Sequence, residues 1–245
     1  MKIAYLDNNV SELLIDKKKV ANLTGIIGLN ENEIEKQILN GNLKIALIDP
    51  LIYSKIKKKK DIRVIPQNAL FFEDFTNTFS INITHNHKDL EKLSSQVESS
   101  YIYNIAKIVL SERYDISVSS KPIEGGSELK LFDINSTLDL SEDWFESFKI
   151  KLPIYFWVVI VDEENLTLEE YQDITNNFCF KNDETITSSN NEREGRIIRN
   201  WEEDAEDVLD NTLEVLFYHN VAEEIHACKI YNLQDILDEN SQKTE

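Results

Sequence analysis

NENEIEKQILNGNLKIALIDP, residues 30 to 50, holds a helix, a strand and the start of a second helix in 21 residues. Asn30 or Asn32 is a helix cap, acidic residues fill the first turn, and Ile34, Ile38 and Leu39 line one apolar face before Gly41 ends the helix. Lys44 to Ile48 is a short apolar strand, and Asp49-Pro50 is the turn that starts the next helix. Upstream, Lys2 to Leu6 and Gly25 to Leu29 read as strands around a helix at Ser11 to Lys19. The β-α-β-α-β order predicts parallel strands joined by right-handed crossovers, hence an α/β fold.

Beyond Pro66 the pattern changes. Strands are expected at Ala69 to Phe72, Asn77 to Ile83, Ile116 to Ser119 and Leu129 to Phe132, with THNHKD as a loop and Gly125-Gly126 as a turn. Ser99 to Tyr114 is the clearest helix, with Ile102, Ile105, Ala106, Val109 and Leu110 on one face. Ser141 is expected to cap a helix that runs to Phe148. Leu152 to Val161 is a ten-residue apolar run, too short to cross a bilayer and suited to a buried central strand. From Leu168 the pattern is helical, interrupted by a loop-like polar stretch at Lys181 to Arg193, and Leu209, Leu213, Leu216 and Phe217 mark the last amphipathic helix. Two lobes follow: residues 1–80, completed by about 165–245, and residues 81–164. A cleft at their junction is the expected ligand position.

The chain has two cysteines, Cys179 and Cys228, in no metal-ligand spacing, so neither disulfide nor zinc is expected. MKIAYLD is no signal peptide, and a cytoplasmic location is the expectation. A net charge of −19 argues against nucleic acid as a partner. Residues 1–80 hold 12 Lys+Arg against 10 Asp+Glu, and the remainder 14 against 35, much of the acid falling in WEEDAEDVLD, Trp201 to Asp210. A solvated helix face explains that run more simply than a docking surface for a basic partner. Lys57 to Lys60 suits a helix carboxyl end. His85 and His87 read as surface residues of a polar loop, and His219 and His226 as structural or exposed residues of the helical tail.

Several segments, in order, resemble the chorismate dehydratases of menaquinone biosynthesis. They are Ala4-Tyr5-Leu6-Asp7; Leu39 to Ile48; Ile65-Pro66 through Ser80; Leu110-Ser111-Glu112-Arg113-Tyr114; and Asp139-Leu140-Ser141 with Trp144 and Leu152-Pro153-Ile154-Tyr155-Phe156. The resemblance covers roughly residues 1 to 160. It implies a two-lobed fold of the type II periplasmic-binding-protein kind, each lobe a mixed sheet flanked by helices, and a lyase that dehydrates chorismate to an enolpyruvyl-benzoate without metal or cofactor. It also implies catalytic positions at Asp7 and Thr78, where the family has asparagine and serine. The ligand-binding positions it implies are Tyr5, Asn8, Asn9, Asp49, Asn77, Ser99, Ser100 and Tyr101.

Chorismate carries two carboxylates, so its site needs hydroxyl, amide and helix N-terminal donors. Asn8, Asn9, Thr78, Ser99 and Ser100 supply such groups, although Ser99 and Ser100 also suit simple helix capping. Asp7 runs the other way. A carboxylate about 4 Å from a ligand carboxylate costs on the order of 4 kcal/mol at an effective dielectric near 20. Asp7 is therefore expected to be protonated, turned away, paired with a cation, engaged as a helix cap, or matched to another ligand. A small-molecule-binding protein without catalysis, on the same fold, is the second expectation.

Overall fold

The computed structural model describes residues 3–20, 25–133, 136–161, 182–190 and 192–231. Cys179 and the helical pattern that begins at Leu168 lie outside these residues, except for the segment beyond residue 181. The chain forms two compact units: residues 1–70, 154–182 and 199–245, and residues 71–153 and 183–198. Both are α/β, each a mixed sheet flanked by helices, as the sequence leads one to expect.

In unit 1, β1 (Ile3–Leu6) lies between β2 (Ile26–Leu29) and β3 (Ile45–Ile48), parallel to both. Then come β9 (Leu152–Ile160), antiparallel to β3, and the first half of β4 (Ile62–Asp74). Every residue of β9 is buried, which is why its sequence is unbroken apolar. α2 (Glu31–Leu39) starts on a capping box: Asn30 accepts from Glu33 N–H at 3.0 Å, and the Glu33 carboxylate accepts from Asn30 N–H at 3.3 Å. α3 (Pro50–Lys57) has Asp49 as its cap and packs against α2 and the last helix, α6 (Ala205–Tyr218). The helix expected at Ser11 to Lys19 is instead a 3-10 turn, Ser11–Leu13, and a short α1, Lys17–Val20.

In unit 2 the sheet order is β6 (Leu93–Ser95), β7 (Ser127–Leu131), β5 (Phe79–Asn82) and β8 (Leu138–Asp139), with β6 and β7 parallel and the other pairs antiparallel. α4 (Ser100–Tyr114) packs on α5 (Leu140–Phe148). Asp143 of α5 ties the pair together, accepting from Tyr114 Oη at 2.9 Å and Arg113 Nε at 2.7 Å.

Four sequence expectations change. The strand expected at Ala69 to Phe72 is the far part of β4, which begins at Ile62 and runs through Pro66, and β11 (Glu194–Ile198) pairs with β4 only at Phe71 to Asp74, beyond the proline. Ile116 to Ser119 makes no ladder, because left-handed Asp115 closes α4 and Ile116 N–H returns to the Leu110 carbonyl. Asp139, not Ser141, caps α5, its Oδ1 taking the Ser141 and Glu142 N–H groups at 3.1 and 3.0 Å. Finally, the loop expected at Lys181 to Arg193 contains β10 (Glu184–Thr187), which pairs antiparallel with β11 (Glu194–Ile198). β10 is almost wholly exposed, so its polar composition imitates a loop. Arg193 anchors the turn through Glu142 and lies 4.1 Å from the Phe75 ring centre.

Candidate functional site

β1, β2 and β3 are parallel, so their carboxyl ends share one edge of the unit 1 sheet. The chain leaves β1 to form β2 on one side and β3 on the other, and ligands of open α/β sheets bind outside the strand ends at such a reversal. Asp7, Asn8 and Asn9 follow β1 there, and Asp49 follows β3. Extending the parallel register, Tyr5 opposite Leu47, sets Asp7 level with Asp49. Extending the antiparallel one, Ile48 opposite Phe156, brings in Tyr155 from β9.

Asn8 is the pivot of this edge. It is 7% exposed, and its Oδ1 accepts from Val10 N–H, Ser11 N–H and Tyr155 Oη, each at 3.0 Å. Asn8 therefore caps the turn after β1, a task that the sequence allows to Asp7. Its amide nitrogen, Nδ2, is buried without a hydrogen-bond partner. Asp49 is 1% exposed; its Oδ1 caps α3 through Ile52 N–H at 2.8 Å, while Oδ2 is buried without a partner. Burial, and then the Glu31 charge, push the Asp49 carboxyl up to about 7 against the helix N–H groups and Lys55. Tyr155 is fully buried, and burial followed by the Asp49 charge holds its phenol far above its ordinary value.

Asp7 is paired with a cation. Lys17 Nζ lies 2.7 Å from Asp7 Oδ1 and 3.3 Å from Glu12 Oε1, and donates to the Asn8 carbonyl at 3.0 Å. Burial pulls the Lys17 ammonium down, but the bonds to Asp7 and Glu12 outweigh it and hold its pKa above the ordinary value. The Asp7 charge is thus paired with a cation that it shares with Glu12. The side chains of Tyr5 and Asp7 also crowd Gly28 of β2, the register partner of Tyr5, so that residue must be small. A Cβ on Gly28 would come within 2.9 Å of both Asp7 Cβ and Tyr5 Oη. Gly28→Ala is expected to displace Asp7 and to cost about 1–3 kcal/mol, read from denaturant midpoints; an unchanged midpoint would mean that the strand end has room to spare.

The remaining expected positions belong to unit 2. Asn77 is in the left-handed region at φ 51°, and its backbone N–H bonds to the Asp139 carboxylate, whose pKa burial raises against the bonds from Ser141, Glu142 and Asn77. Thr78 is completely buried, and its hydroxyl donates at 3.3 Å to the Thr76 carbonyl, within its own turn. Ser99 caps α4, accepting from Ile102 N–H at 3.3 Å, and Ser100 follows it on the exposed side. Tyr101 is wholly buried, and its hydroxyl donates to the Pro153 carbonyl at 2.7 Å, a bond of the unit 2 core. The geometry thus gathers Tyr5, Asp7, Asn8 and Asp49 at one edge of unit 1, and Asn77, Thr78, Ser99, Ser100 and Tyr101 in unit 2. Lys17 and Tyr155 join the first group without being singled out by sequence: one lies in a run of three lysines, the other inside an apolar strand.

Among the described residues no cluster of His, Cys, Asp and Glu is arranged to hold a metal ion, and no helix is long and apolar enough to cross a membrane.

No protein-family model matches the chain, and no curated protein does. Among solved structures it is similar to protein AF1704 from Archaeoglobus fulgidus, at 13% identity over 71% of each chain with a TM-score of 0.45. It is also similar to the Candida albicans CA3427 gene product, described as having the generic periplasmic binding protein fold, at 12% identity over 98% of this chain and 80% of that one, TM-score 0.37. A third is PhnD1 from Prochlorococcus marinus in complex with methylphosphonate, at 12% identity over 90% and 98%, TM-score 0.38. The α/β assignment of this chain rests on its own strand order and pairing.

Proposed function

We propose that this protein binds a small polar metabolite of the chorismate-like carboxylate class at the carboxyl ends of β1 and β3. One observation carries the reading. At a strand reversal that favours ligands, two polar side chains are buried with one atom each left without a protein partner, Asn8 Nδ2 and Asp49 Oδ2. Such atoms cost about 1–3 kcal/mol each when left unmade, which a bound polar group recovers.

Dehydration of the ligand is the second reading. It draws on the resemblance and on Asp7 with Lys17, a carboxylate and an ammonium 2.7 Å apart at the same strand end. Loss of water from a ring needs one group to take a proton and another to give one to the departing hydroxyl. A cytoplasmic location remains part of the proposal.

Thermal unfolding with and without chorismate tests both readings. Chorismate at 100 times its Kd is expected to stabilise the protein by about 2.7 kcal/mol. Ultraviolet absorbance of the same mixture separates them: an aromatic enolpyruvyl-benzoate marks the lyase, and stabilisation without product marks the binding protein. No stabilisation by chorismate at millimolar concentration sinks the carboxylate reading.

A further inference from the structure

We propose that Asn8 and Asp49 together form a subsite for a neutral hydroxyl group, so that the ligand of unit 1 is a hydroxylated compound held by that hydroxyl. The inference rests on the reading that a small polar molecule occupies this strand end, and it names the group that is recognised there.

The argument is one of complementarity. Asn8 Nδ2 is a donor and Asp49 Oδ2 an acceptor, and both are buried and unpartnered. They follow the carboxyl ends of β1 and β3, neighbouring parallel strands, and Tyr155, level with Asp49 in the extended β3–β9 register, reaches the Asn8 amide. The Tyr155 hydroxyl bonds to Asn8, and the Asp49 charge acts on the same phenol. A ligand hydroxyl accepts from the amide and donates to the carboxyl, and so satisfies both atoms at once. A ligand carboxylate serves Asn8 but meets ionised Asp49 as a like charge. An ammonium serves Asp49 but faces the Asn8 amide donor to donor. A hydroxyl matches the pair with one lone pair and one proton, without a change of protonation on either side.

The two side chains are fixed by other bonds, which makes the subsite preorganised. The Asn8 amide is held by three donors to its oxygen, and Asp49 by its role as cap. Charged groups acting on Asp49 are Glu31 at the start of α2 and Lys55 in α3, with the Tyr155 phenol on β9. A hydroxyl that donates to Asp49 favours its ionised form, so recognition strengthens as pH rises through about 7.

The test uses the full chain and matched pairs of probes in titration calorimetry. Chorismate is compared with its dehydration product, which keeps both carboxylates and lacks the ring hydroxyl, and quinate with cyclohexanecarboxylate. In at least one pair the hydroxylated member is expected to bind tenfold or more tightly; sites built around a substrate hydroxyl reach about 10⁴. Asp49→Asn keeps the helix cap and turns the acceptor into a donor, and Asn8→Asp keeps the three accepted bonds and turns the donor into an acceptor. Either change is expected to bring the preference below about threefold. If both members of every pair bind alike, small-molecule binding stands and the hydroxyl subsite falls. Discrimination that survives in both variants also overturns the subsite, and binding of no probe overturns the subsite and the carboxylate reading together.

Discussion

Asp49→Asn is expected to flatten the pH dependence of folding: from about pH 4 to pH 7 the parent protein loses on the order of 4 kcal/mol that the variant keeps. The Asp49 carboxyl is pushed up to about 7 in the folded chain, against about 3.9 in an unfolded one. Because the folded value is the higher, the folded state binds this proton more tightly. Its contribution to stability is complete below about pH 4 and is lost as pH rises through 7. Three pKa units at about 1.36 kcal/mol each set the size, as an upper figure. Asparagine caps a helix as well as aspartate does, so α3 keeps its start. The new amide is a buried donor without a protein partner and costs about 1–3 kcal/mol at every pH. The difference between the two proteins therefore changes slope with pH while its absolute offset stays modest. Denaturant unfolding of both proteins between pH 5 and pH 8 measures this directly, and parallel stability curves would show that Asp49 is not the strained acid described here.

A buried carboxyl held near neutrality is unfavourable for folding, which makes its position at a strand reversal informative. The Asp143 carboxyl offers a contrast in the same chain. Burial pushes it to about 6, but Tyr114 and Arg113 both hold it, and it joins α4 to α5. Asp143 has a structural reason to be there. Asp49 uses one oxygen to cap a helix and leaves the other unmade, and a serine would cap α3 without any buried charge. The proposed ligand would give the second oxygen its partner.

Much of this was legible in the sequence, for identifiable reasons. β1, β2, β3, α2 and α3 each combine a cap, an apolar face and a stop within a few residues, so local signals and tertiary packing agree. The strand reversal did not follow from their order in the chain, which leaves open on which side of β1 each later strand is added. What was hidden depended on partners remote in sequence. β10 is strand only because β11 pairs with it, and β6 is three residues of LSS that gain their identity from β7. The passage from unit 1 to unit 2 falls at Leu70 and Phe71, inside the single strand β4, where no change of composition marks it. At the site, Asp7 and Asn8 look interchangeable as caps, and only the geometry gives the cap to Asn8 and the ion pair to Asp7. Tyr155 contributes a hydroxyl from within LPIYFWVVI, where every neighbour is buried.

Arg199 was the least legible residue of all, and Arg199→Met is expected to cost about 2–4 kcal/mol. It is 2% exposed and stands just beyond β11, where the chain re-enters unit 1. Its Nε donates to the Leu13 carbonyl at 3.0 Å and its guanidinium also reaches the Asn182 carbonyl. Methionine replaces much of the apolar stem but none of the donors. The Leu13 carbonyl then loses the Arg199 bond, and bonds from a charged donor contribute about 1.5–3 kcal/mol each. Asn182 is exposed and turns to water, so its bond adds less. Part of the loss is offset because a buried cation no longer has to be desolvated. The consequence extends to the site. Leu13 ends the 3-10 turn whose first N–H groups fix the Asn8 amide. Loosening Leu13 frees that turn, so amide hydrogen exchange at Leu13 to Ile15 should speed up more than global destabilisation accounts for. Uniform acceleration across unit 1 would instead make Arg199 a general packing residue. Excess acceleration confined to this turn would make it the clamp that keeps Asn8 aimed.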